Sequence, residues 1–161
     1  MRIVLICATL LLATACTSGN QPDWWRTNQT DGQVGPVRLV HVNIEAPPMD
    51  EQKPGGTLPL YLTLFNDAAV EQVLDAVSTV EAKKVVYRAG PDAPVERMRV
   101  VIPPKGELSL QKGNGRPYLE LVGTNRQLGN TTIPVTFRFP TAGTVTIRVP
   151  VRAGRPSPAP S

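Results

Sequence analysis

Leucine occupies positions 58, 60, 62 and 64, and Pro59, Tyr61, Thr63 and Phe65 fill the gaps between them. Successive side chains of an extended strand point to opposite faces, so this spacing puts all four leucines on one side. A helix would scatter the same leucines around its axis, because its apolar positions recur near every third or fourth residue. The segment therefore predicts a strand with one face in a dry core. Asn66-Asp67 ends it.

The same pattern recurs on both sides of this strand. From Pro36 to Ala46, Val40, Val42 and Ile44 fall on one face, with Leu39, His41 and Asn43 on the other. Ile133, Val135, Phe137 and Phe139 alternate, as do Val145, Ile147, Val149 and Val151. Lys84 to Gly123 holds three β-branched runs and a fourth short one at Glu107 to Gln111. Val70 to Val80 fits both the helical and the strand period, and its strand neighbours favour a strand over Leu74 to Val80. The chain's 17 prolines and 13 glycines cluster between these runs as turns. One of them, Lys112-Gly113-Asn114-Gly115, carries the Asn-Gly pair of primed turns and predicts a hairpin joining Glu107–Gln111 to Tyr118–Val122. The expected architecture is all-β: an immunoglobulin-like or cupredoxin-like Greek-key sandwich or barrel of about eight strands, over residues 36–151.

The first sixteen residues have another purpose. Arg2 supplies a positive charge, Ile3 to Leu12 a short apolar run, and Ala13-Thr14-Ala15-Cys16 small residues before a cysteine. The apolar run is too short to span a bilayer. The arrangement predicts a lipoprotein signal peptide at 1–15, with lipid attached to the Cys16 thiol. Cleavage there removes Cys7 and leaves no partner for a disulfide. It also leaves 16 basic against 13 acidic residues, a mild excess that does not argue for nucleic acid. Residues 16–35 are expected to form the lipidated cysteine and a flexible tether, and 152–161 a disordered proline-rich tail. Trp24-Trp25 suits either the membrane interface or a dock on the domain. The expected location is the extracytoplasmic face of the cell membrane, held by the acyl anchor.

The inventory of reactive groups is short. His41 is the only histidine, and no HExxH, CxxC, Gly-rich phosphate loop or serine elbow occurs. With so few candidate nucleophiles or bases, an enzyme is not expected. His41, Met49 and Met98 are the soft metal donors of the mature chain.

One spacing within Lys84–Gly123 resembles a known metal motif. Tyr87-x10-Met98, then Tyr118-x-Glu120, has the outline of the His-x10-Met and His-x-Met motifs of the PCu(A)C periplasmic copper chaperones. Stretches such as LPLYLTLFN, ERMRVVIPPKGELSL, YLELVG and VTFRFPTAGTVTIRVPV resemble that family in the same order, from about Val37 to Val151. The resemblance implies a cupredoxin-like fold, a place outside the cytoplasm, and copper passed to a protein partner. It aligns Tyr87, Met98, Tyr118 and Glu120 with the family's four ligands. Only Met98 keeps a soft donor, so the copper site is expected to be degenerate, with His41 and Met49 as alternative soft ligands. Two functions follow: a copper-handling lipoprotein with an altered site, or a metal-free β-domain that binds a protein or another envelope component.

Overall fold

The computed structural model describes residues 30–90, 95, 97–111, 113 and 115–154. The signal peptide, Cys16, Trp24-Trp25, the tether before Thr30, Lys112, Asn114 and the tail from residue 155 lie outside the described residues.

Among the described residues every regular element is a strand, and there are eleven: β1 Thr30–Val34, β2 Val37–Ala46, β3 Thr57–Asn66, β4 Gln72–Leu74, β5 Ala76–Ser78, β6 Ala82–Arg88, β7 Val100–Ile102, β8 Glu107–Leu110, β9 Tyr118–Thr124, β10 Thr132–Phe139 and β11 Gly143–Ala153. Nine form one sheet in the order β5-β10-β11-β2-β3-β9-β6, with β1 beside β2 and β8 beside β3. Its end strands, β5 and β6, follow one another in the chain and come into contact, so the sheet curls into a nearly closed barrel. β4 and β7 form a separate two-stranded pair. The ladders are antiparallel except where β11 runs parallel to the end of β2, Val151 beside Ile44. An all-β, nearly closed barrel is therefore what the described residues form.

The leucine face of β3 is the middle of the core. Leu60, Leu62 and Leu64 are at most 1% exposed, and they meet Leu39, Ile44, Leu119, Leu121, Val135 and Phe137. Interior residues at this density exclude water, and that exclusion is the main favourable term in folding.

Several local expectations are corrected. The tether was expected to reach Gly35, yet Thr30–Val34 folds as β1 against β2. The sheet thus gains an edge strand that polar composition had hidden. Arg152 and Ala153, expected in the tail, extend β11 along Glu45 and Ala46. The single strand at Leu74–Val80 is instead two short strands in different sheets, broken at Asp75. Asp75 pairs both carboxylate oxygens with the Arg138 guanidinium at 2.9 Å and gives its N–H to Arg138 O at 3.1 Å.

The faces of β2 also differ from simple alternation. A bulge between Val40 and Asn43 puts His41 at φ +58°, with its N–H donated to Asp31 Oδ1 at 2.9 Å. The extra residue shifts the phase, so Leu39 and Val42 both reach the core and His41 is left exposed.

The hairpin expected between β8 and β9 does not form. Both strands lie on the same edge of β3: Leu110 faces Leu62 and Leu119 faces Leu60. The chain leaves that edge after Leu110, closes a loop through a Gln111 N–H to Pro117 O bond of 2.9 Å, and rejoins it in the same direction. Both segments gain a partner in the long β3, which a two-stranded hairpin alone could not supply.

Candidate functional site

The aligned positions fall on β6, β9 and the loop before β7. In the β6–β9 ladder, Tyr87 is opposite Leu119, Val86 opposite Glu120 and Arg88 opposite Tyr118. Leu119 and Leu121 are fully buried in the core, and Tyr87 and Val85, their cross-strand partners, pack against that same core. Alternation then sends Val86, Arg88, Tyr118 and Glu120 to the other face of the ribbon. Met98 is partly buried and packs against the core, like Tyr87. Of the four aligned residues, the ladder brings Tyr118 and Glu120 together and turns Tyr87 away from them.

The side chain that joins Tyr118 and Glu120 is Arg88. Its Nε donates to Glu120 Oε2 in an ion pair whose side chains are 24% and 11% exposed. The Glu120 hydrogen bond holds the Arg88 guanidinium above its ordinary pKa, against the opposing effect of burial. The cluster continues onto β3, where the Tyr61 hydroxyl donates to Glu45 Oε2 at 3.0 Å. Burial, the Glu45 hydrogen bond, and the charges of Glu45 and Tyr118 together push the Tyr61 phenol well above its usual pKa. Burial alone raises Tyr87. Both phenols therefore stay protonated at neutral pH, and neither is a phenolate donor. Arg88 was missed because the Tyr87-x10-Met98 spacing was counted without the strand period. The pattern Val85-Val86-Tyr87-Arg88 already sends 85 and 87 to one face and 88 to the other.

The model of the LpqE-like family matches residues 37–151, most of the chain and nearly all of the barrel. The chain belongs to the LpqE-like family. No curated protein matches it in sequence. Among solved structures, the copper-bound PCuAC domain from PmoF2 is 23% identical, with a TM-score of 0.64, over 77% of this chain and 98% of that one. The apo PCuAC domain from PmoF1 is 23% identical at a TM-score of 0.65, over 77% and 99%. Apo-DR1885 from Deinococcus radiodurans is 20% identical at 0.53, over 96% and 97%. The LpqE-like barrel thus has the PCuAC fold.

Copper does not fit the cluster on the LpqE-like ribbon. Cu(I) favours thioether and imidazole, whereas this face presents the Arg88 guanidinium, the Glu45 and Glu120 carboxylates and the Tyr61 and Tyr118 side chains. Among the described residues, no three His, Cys, Asp or Glu side chains converge in a way that could hold a metal ion. The alternative soft donors are not brought together either. His41 lies at the β2 bulge beside Asp31. Met49 lies beyond the far end of β2, where its Sδ accepts from Gln52 Nε2 at 3.4 Å. Five strand residues from His41 to Ala46 already span roughly 16 Å.

Sequence reasoning also missed two buried amides that hold the loops around the barrel. Gln52 accepts the N–H groups of Leu128 and Gly129 at 3.1 and 3.0 Å and donates to Pro47 O at 2.8 Å, joining two loops. Asn66 does the same for the loops at 67–70 and 103–106. A cavity of about 310 Å³ opens beside Gln52, lined by Lys53, Thr57, Thr124 and Arg126 among others. Arg126 is held by both oxygens of Glu81, and the Gln52 amide is bonded within the loops.

Proposed function

We propose that this protein is a lipid-anchored, extracytoplasmic and non-enzymatic domain of the copper-chaperone type, whose copper site is degenerate and does not hold Cu(I) tightly. Membership of a lipoprotein-type family and the Ala13-Thr14-Ala15-Cys16 sequence support the anchor. Likeness to PCuAC domains, one of them copper-bound, supports a copper-related origin for the fold. The observation that carries the reading is the Arg88–Glu120 ion pair beside Tyr118, on the face that carries two of the four family-aligned positions. A fixed cation there opposes a metal ion electrostatically and ties up the carboxylate. The same observation favours a second reading, in which the barrel is kept as a metal-free module that binds an envelope protein or other envelope component. Fold does not fix function, and a barrel that loses its ligands remains a stable scaffold.

Competition with a Cu(I) chelator of moderate affinity tests the degenerate site. The mature chain, made soluble by Cys16→Ser, is expected to surrender Cu(I) to the chelator. Retention of one Cu(I) per chain, lost on Met98→Ala or His41→Ala, would overturn the reading and make the protein a copper carrier.

The anchor has its own test. Radiolabelled fatty acid should be incorporated into the wild type in bacteria and be absent from Cys16→Ser, which should also escape lipoprotein signal-peptidase processing. A wild type found unlabelled in the medium and cleaved at another position would remove the anchor.

A further inference from the structure

We infer that Met49 is an oxidant-responsive site: its thioether accepts one oxygen atom from a hydroperoxide, and the sulfoxide so formed releases a latch that Gln52 makes between the loops at 47–52 and 127–131. The site lies at the end of the barrel away from Tyr118. A Gly55 N–H to Thr124 O bond of 2.7 Å ties the loop after β2 to the last residue of β9, whereas Tyr118 is the first. The inference holds whether or not the chain carries copper.

Met49 stands in a turn closed by a Glu51 N–H to Pro48 O bond of 2.9 Å, and it is 44% exposed. Its sulfur is nonetheless part of the latch. Gln52, only 6% exposed, spreads its amide over both loops. Nε2 donates to Pro47 O at 2.8 Å and to Met49 Sδ at 3.4 Å, while Oε1 accepts the N–H groups of Leu128 and Gly129 at 3.1 and 3.0 Å. Gln127 Nε2 adds bonds to Gln52 O at 2.9 Å and Met49 O at 3.4 Å. A Cβ on Gly129 would come within 2.6 Å of Met49 Sδ and would also strike the Gln52 amide, so the thioether lies against bare glycine backbone with no spare room. A side chain that solvent reaches thus touches a buried amide that two loops depend on.

In the reaction a sulfur lone pair attacks the terminal oxygen of the hydroperoxide. The S–O bond forms as the O–O bond breaks, and the sulfur gives up two electrons. The leaving hydroxide or alkoxide takes the proton of the transferred oxygen and departs as water or an alcohol. An apolar, flexible thioether becomes a polar, chiral sulfoxide whose oxygen accepts hydrogen bonds far better than sulfur does. That oxygen has no place between Sδ and Gln52 Nε2. The 3.4 Å between them is little more than the roughly 2.7–3.2 Å that an N–H···O bond alone requires. Gly129 blocks the inner side. The sulfoxide therefore either draws the Gln52 amide out of its place or swings Met49 away from Gly129. Both outcomes loosen the contacts that hold Leu128 and Gly129.

The mature chain carrying Cys16→Ser has two sulfur atoms, those of Met49 and Met98, and Met98 is partly buried against the core. Limited treatment with hydrogen peroxide, followed by peptide mass spectrometry, should find Met49 oxidised at least about tenfold faster than Met98. In the oxidised protein, amide hydrogen exchange at Leu128 and Gly129, read by NMR, should quicken about tenfold or more, with the β3 amides unchanged. The melting temperature should fall by about 3–8 °C. Methionine sulfoxide reductases of both stereospecificities should restore the slow exchange. Met49→Leu keeps the size and removes the sulfur, so its exchange should be the same before and after peroxide.

The inference is overturned if Met98 is oxidised as fast as Met49, if the Met49 sulfoxide leaves exchange at Leu128 and Gly129 unchanged, or if Met49→Leu responds to peroxide as the wild type does. Should Met49→Leu fail to fold, the oxidised and reductase-treated wild type decide the matter between them.

Discussion

Leu62→Asp abolishes the native fold. Leu62 is 1% exposed in the middle of β3, the strand bonded to β2 on one side and to β8 and β9 on the other. Its side chain sits in the buried apolar cluster of the core. Removing the leucine alone costs about 2–5 kcal/mol in lost burial and a cavity. Putting a carboxylate in its place adds several kcal/mol more, whether the charge is buried or the group is forced to stay protonated. A domain of this size holds only about 5–15 kcal/mol in total. The far-UV circular dichroism of the variant should lose its strand signal at 25 °C, and the protein should aggregate or be degraded on expression. A soluble variant with a wild-type spectrum and melting temperature would show that the leucine face is not the centre of the core.

Asn66→Ala lowers stability by about 3–5 kcal/mol, and Asn66→Asp by at least as much. The Asn66 amide is 1% exposed and closes two loops at once. Nδ2 donates to Val70 O at 2.8 Å and Pro103 O at 3.0 Å, with Ile102 O at 3.3 Å, and Oδ1 accepts from the Ala68 N–H at 2.9 Å. Alanine leaves these backbone groups buried without partners, at about 1–3 kcal/mol each where water cannot reach them. Aspartate keeps an acceptor for Ala68 but turns a negative carboxylate toward three carbonyl oxygens. Differential scanning calorimetry should show the melting temperature falling by about 10–20 °C in both variants. Retention of wild-type stability by Asn66→Asp would mean that the donor half of the amide contributes nothing.

The contrast between these residues explains how much of the fold could be read in advance. Leu62 announces itself, because four leucines in a period of two admit few structures. Asn66 reads as a strand terminator, and nothing local shows that its amide will be enclosed by loops 2 to 37 residues away. The site divides along the same line. Tyr118 and Glu120 stand on β9 at positions that spacing and resemblance singled out. Arg88 was not singled out, because spacing along the chain counts residues, whereas a site on a sheet is set by cross-strand register. A shift of one residue exchanges the two faces. Tyr87, one residue from the cluster, therefore packs on the core while Arg88 enters the ion pair.

The amino-acid sequence by itself determined the class of this protein: an all-β domain over most of residues 37–151, its apolar faces, and a scarcity of soft metal donors. Those properties are local, since a period of two or a missing histidine does not depend on what lies opposite. Only the tertiary structure decided that the polar stretch at Thr30–Val34 pairs as a strand, that the bulge at His41 reverses the faces of β2, and that β8 and β9 share one edge of β3. It also decided that a guanidinium rather than a tyrosine meets Glu120. Each of these depends on partners distant in sequence, and the choice is made by the summed energy of burying the leucine face and pairing the backbone around it.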